Sequence, residues 1–146
     1  MTRNLYHGRG EEGLRNIAET GFIQGSTIEE EEVFTQMSPE MNVYGKEKAI
    51  WVTDSRECAE IYAWGGGYLE LDPTNVKVIE DPDSCYGVIM RDKLPIDHFN
   101  RIMVEEQEGA RGEPQKNLDI EIADLLDEKY NDIRIGSYES KDFTVE

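Results

Sequence analysis

The residues that could do chemistry in this chain are few. It has only two histidines, His7 and His98, so a multi-histidine metal centre is excluded and no metal is expected. Its two cysteines, Cys58 and Cys85, could pair with each other. Neither belongs to a CxxC pair, and nothing local sets either beside a histidine as a nucleophile. A buried helical thiol is the ordinary reading of Cys58. There is no GxxxxGK[ST], HExxH or GxSxG, which removes phosphate-loop, zinc-hydrolase and serine-hydrolase signatures. What remains is the run Leu5-Tyr6-His7-Gly8, the pair Trp51 and Tyr62, and a surplus of carboxylates. Each has a plain structural role when read alone: a polar residue before a turn, and aromatics packed in a core.

The elements that must carry these residues can be read from spacing. Residues 4–7 form a short strand that ends at Gly8. Leu14, Ile17 and Ala18 recur at helical spacing over Glu11 to Thr20, with glutamates in the first turn and Gly21 as the C-terminal cap. Residues 23–48 read as loop, and the acidic run Glu29 to Glu32 reads as a solvated part of it. Ala49 to Thr53 is a strand by composition. It leads into Asp54-Ser55-Arg56-Glu57, a capping-box pattern opening a helix with Ala59, Tyr62 and Ala63 on one face. Gly65-Gly66-Gly67 stops that helix, because three glycines cost too much backbone entropy inside one. Tyr68 to Leu71, Val76 to Ile79 and Tyr86 to Met90 read as strands, and Pro95 to Val104 as a turn and a strand. Residues 105–117 read as an exposed loop, Leu118 to Tyr130 as an amphipathic helix, and Ile133 to Ile135 and Phe143 to Val145 as closing strands. Strands and helices do not alternate regularly, so the class is α+β in one domain spanning 1–146.

Taken together and in order, Leu-Tyr-His-Gly, a helix closing in Gly-Phe, and Ile-Trp-Val-Thr-Asp-Ser leading to Ala-x-x-Tyr-Ala resemble the opening of the ADP-ribosyltransferase superfamily. The likeness is to the branch of poly(ADP-ribose) polymerases, diphtheria-type toxins, phage-encoded transferases and RNA 2′-phosphotransferases. It covers residues 4–72 well and the C-terminal third loosely. It implies split antiparallel β-sheets flanked by two or three helices, and an enzyme that uses NAD as substrate. By the same resemblance His7 would hydrogen-bond the adenosine ribose and Gly8 the nicotinamide carboxamide. Tyr62 would stack on nicotinamide, Trp51 would flank that pocket, and Ser55 is a further candidate for binding the cofactor. Arg9 stands where relatives carry Thr or Ser and would contact the pyrophosphate or point to solvent. Cleavage of the nicotinamide–ribose bond builds positive charge on the ribose, as in glycoside hydrolysis, so a carboxylate is needed beside it. In relatives this is a late glutamate. Glu139 is the choice here, ahead of Asp142, and His7, Tyr62 and Glu139 form the implied catalytic set.

Composition then narrows the partners. Apolar residues make up 38% and charged residues 32%, with a formal net charge of −17. Such a surface disfavours broad phosphate-contacting faces and anionic membranes, and it counts against RNA 2′-phosphotransfer, which needs basic residues to seat a phosphate. Three readings of the acidity stay open: a solvated surface, affinity for a basic protein or nucleic-acid-binding complex, or a nucleic-acid mimic that blocks a basic groove without catalysis. The acceptor of ADP-ribose is open as well, a protein side chain or a nucleic-acid base. No apolar run approaches membrane-spanning length, and with no leader-like start the expected setting is a cytoplasmic monomer.

Overall fold

The computed structural model describes residues 4–63, 65–74, 76–106, 118–126 and 133–139. In it the chain is α+β, as its pattern predicts. The elements run β1 (Leu5–Arg9), α1 (Glu11–Thr20), β2 (Phe22–Gln24), β3 (Ile50–Thr53), α2 (Arg56–Tyr62), β4 (Gly67–Leu71), β5 (Ile79–Glu80), β6 (Tyr86–Ile89), β7 (Lys93–Pro95), β8 (Phe99–Glu106), α3 (Leu118–Leu126) and β9 (Arg134–Glu139). Seven strands form one sheet in the order β5-β6-β3-β1-β4-β8-β9, and β2 pairs with β7 in a separate ribbon.

The helices stop where their sequences say they should. Gly21 takes the left-handed conformation at φ 85° and returns its N–H to the Ile17 carbonyl, a geometry that costs other residues more. Leu14, Ile17 and Ala18 of α1 are buried and join Leu5, Val52, Leu69, Ile102 and the inner face of α3 in the main core. Arg15 of α1 clamps Glu121 of α3 with two bonds, of 2.9 and 2.8 Å.

Several sequence expectations are corrected. The sheet is mixed rather than antiparallel, because β8 and β9 run parallel. The chain between them passes through α3, and a parallel return needs such a crossover. Residues 76–78 lie outside any strand, and only Ile79–Glu80 pair. The stretch read as loop contains β2 and two 3₁₀ helices, Glu32–Gln36 and Pro39–Lys46. Their Val33, Phe34, Met37 and Met41 form a second apolar cluster with Trp51 and Val88. Glu105 and Glu106 belong to β8, not to an exposed loop, whereas the closing strand at Phe143–Val145 falls outside the described residues. Among the described residues no helix is long and apolar enough to cross a membrane.

Candidate active site

β1 is bound unequally by its two neighbours. All five of its residues pair with β4, from Leu5 opposite Leu71 to Arg9 opposite Gly67. Toward β3 the only paired position is Tyr6 opposite Thr53. Continuing that register would set Gly8 opposite Trp51, but the ladder has already stopped. Past Tyr6 the sheet splits, and His7, Gly8 and Arg9 stand along one lip of the split.

His7 crosses the gap in the ladder. Its Nδ1 lies 2.6 Å from the Trp51 carbonyl, and its Nε2 lies 2.9 Å from Arg9 Nε. Arg9 only donates, so Nε2 is the bare nitrogen and Nδ1–H donates to Trp51. The ring is fully buried. Burial first, and the Arg9 charge second, hold its pKa well below the usual imidazole value against the opposing pull of the Trp51 bond. His7 is therefore a neutral acceptor. Trp51 packs on it with ring centroids 4.5 Å apart, and on its other side meets Tyr62 at 5.0 Å and Tyr86 at 6.2 Å. Tyr62 ends α2 and is half-buried, and burial raises its pKa.

The structure thus brings together His7, Trp51 and Tyr62, three residues separated widely in sequence. Arg9 joins them in a way that neither of its sequence readings anticipated. Its Nη1 pairs with Glu31 at 2.8 Å and its Nη2 reaches the Gln24 carbonyl at 3.4 Å. The side chains of Arg9 and Glu31 are only 24% and 23% exposed, so Glu31 is not the solvated member of an acidic loop. Nothing in its local sequence marks it; the fold of residues 25–48 over β1 does.

Other assignments fare differently. Gly8 has a structural reason to be glycine, since a Cβ there would overlap the Ala59 carbonyl oxygen of α2. Close approach is required, but it is the helix that approaches. Ser55 caps α2, accepting the Cys58 N–H at 3.3 Å, and so stands at the opposite end of that helix from Tyr62. Glu139 closes β9, its backbone paired with Glu106. That strand is three places from β1 in the sheet, about 14 Å at ordinary strand spacing. Asp142 lies outside the described residues.

Gly8-Arg9-Gly10-Glu11-Glu12-Gly13 spells GxGxxG between a strand and a helix. In dinucleotide-binding folds that motif opens a parallel βαβ unit and offers the helix N-terminus to a pyrophosphate. Here both neighbours of β1 are antiparallel, and two glutamates occupy the first turn of α1, so that use of the motif does not apply.

Beside Tyr86, a cavity of 380 Å³ opens between β3, β5 and β6, with Thr53, Asp54, Glu80, Asp81 and Ser84 on its wall. Asp81 is buried and takes bonds from the Ser38 N–H and hydroxyl, the Asp83 N–H and the Ser84 hydroxyl. Burial alone would raise its pKa, but these donors outweigh it and hold the carboxyl at about 2. Among the described residues no group of three or more His, Cys, Asp or Glu side chains is arranged to hold a metal ion. Comparison of the chain with protein-family models, curated proteins and solved structures gives no match.

Proposed function

We propose that the chain binds NAD along the split between β1 and β3, cleaves the nicotinamide–ribose bond and passes ADP-ribose to an acceptor. The observation that carries this reading is the convergence of His7 and Tyr62 on Trp51 at the point where β1 and β3 part. A neutral imidazole acceptor, a half-buried phenol ring and a guanidinium are the groups the resemblance assigns to ribose, nicotinamide and pyrophosphate. Bound NAD supplies the scissile bond and a leaving group; the remaining tasks fall to the chain.

The arrangement implies an exchange of partners. His7 Nε2 is the only ring nitrogen that can accept from a ribose hydroxyl, and Arg9 Nε now fills it. Binding therefore requires Arg9 to swing away. Its guanidinium then trades the Glu31 carboxylate for the phosphates, which it can grip with paired N–H groups. Tyr62 offers a stacking face, and its position is set by α2 lying directly against Gly8. The resemblance assigns the positive charge that develops on the ribose to Glu139, although its strand lies on the β4 side of β1, three places away in the sheet.

The test is release of nicotinamide from NAD, alone and with cell lysate, with labelled NAD to reveal the acceptor. Replacing both His7 and Tyr62 by Ala lowers release by about 100-fold or more, the scale of lost positioning, while circular dichroism stays native. Full turnover by the double variant would refute the assignment. A second reading rests on the net charge of −17: an acidic binding protein that occupies a basic groove. Stoichiometric inhibition of a nucleic-acid-binding partner, with no need for NAD, selects it over catalysis.

A further inference from the structure

We propose that Cys58 and Cys85 form a dithiol that is reversibly oxidised to an intramolecular disulfide, locking α2 to the residue that leads into β6 beside the aromatic cluster. The two sulfurs lie 3.3 Å apart although the residues are separated by 27 positions. Both side chains are partly exposed rather than buried, which corrects the sequence reading of Cys58 and leaves them open to a small oxidant. They are the only cysteines of the chain, so neither has a competing partner within it.

The backbone holds the pair in place from both sides. The Asp54 N–H donates to the Cys85 carbonyl at 3.1 Å. One residue further on, the Ser55 side chain accepts the Cys58 N–H at 3.3 Å. The strand end, the helix cap and both thiols therefore form one tethered unit. A disulfide needs the sulfurs at about 2.05 Å, so the pair must close by little more than an ångström. The lock would fall next to the site, because Tyr86 follows Cys85 directly and its ring touches Trp51.

The oxidant required is a low-molecular-weight disulfide. One protein thiol loses its proton and attacks a sulfur of that disulfide, expelling a small thiolate that takes up a proton. The second protein thiolate attacks the protein-side sulfur of the mixed disulfide and expels the other small thiol. Two protein thiols are oxidised, one small disulfide is reduced to two thiols, and both protons leave with them.

The test treats the full-length protein with excess oxidised glutathione, then unfolds it in iodoacetamide for mass spectrometry. The expected product is a monomer two hydrogens lighter, unalkylated, with peptides containing Cys58 and Cys85 linked, and restored by dithiothreitol. Its Tm rises by about 5 °C or more, because the bridge closes a loop in the unfolded chain. The single variants Cys58→Ser and Cys85→Ser stop at a glutathione adduct. Two alkylated cysteines, a stable adduct on the unsubstituted protein, or a disulfide-linked dimer would each overturn the proposal. The outcome does not depend on whether the chain turns over NAD.

Discussion

The two flanks of β1 are built from the same strand and serve different ends. Toward β4 the ladder is complete over five residues, and an aromatic file continues across the sheet from Tyr6 to Tyr68 to Tyr138, with ring centroids 5.7 and 5.1 Å apart. The β1–β4 pairing there is continuous and in register, and the aromatic rings pack on one another. Toward β3 the ladder stops after one pair, and the Trp51 carbonyl turns to a histidine side chain instead. An open stretch of backbone must be satisfied by side chains, and such side chains can exchange partners. The first flank is a continuous ladder, and the second carries polar side-chain contacts that can exchange partners.

That contrast can be broken from either side. Leu69 of β4 is fully buried, and Leu69→Ala costs about 4 kcal/mol, as large-to-small core changes do. Urea unfolding measures the loss, and tryptophan emission of the folded form should stay unchanged. Gly8→Ala costs about 3 kcal/mol because backbone faces backbone at Ala59 and overpacked sites relax poorly. It should also shift tryptophan emission, since α2 carries Tyr62 away from Trp51. An unshifted spectrum would mean that α2 does not position the split flank.

The pH dependence of stability sharpens the same contrast. His7 has a depressed proton affinity in the fold, so the unfolded chain is first to bind a proton as pH falls. Stability is complete above the ordinary imidazole value of 6.5 and declines below it, toward the lower folded value. Asp81 acts in a separate acid window: its contribution is complete above 3.8 and lost as pH falls through about 2. Urea midpoints at pH 7.5 and pH 5.5 should therefore differ in the native chain and converge in His7→Gln. Equal slopes in both proteins would remove His7 as the cause. The smallest effect belongs to Glu31→Gln. Loss of a part-exposed ion pair changes stability by about 0.5 kcal/mol, yet it frees Arg9. NAD affinity measured by calorimetry should rise about threefold, and a fall would mean that Glu31 assists binding rather than competing with it.

Much of the fold was legible because local physics decides it. Gly21 ends α1 in the left-handed conformation glycine favours, and the cap of α2 is Ser55, one residue after the position the Asp54–Glu57 pattern predicts. Residues 23–48 read as loop because 3₁₀ turns have no strong period, and their apolar residues make sense only against Trp51. In the candidate site, the nearness of His7, Trp51 and Tyr62 followed from a resemblance in the order of motifs. The engagement of Arg9 with both His7 and Glu31 did not.

By itself, then, the sequence determined the α+β class, the ends of α1, the absence of multi-histidine metal chemistry and the acidic surface, all properties of composition or of residues a few positions apart. Only the tertiary structure decided where β1 and β3 separate, which carboxylate holds Arg9 and that the two thiols meet. Those facts join residues 22 to 44 positions apart, and contacts at that range are chosen by how elements pack, not by the chain between them.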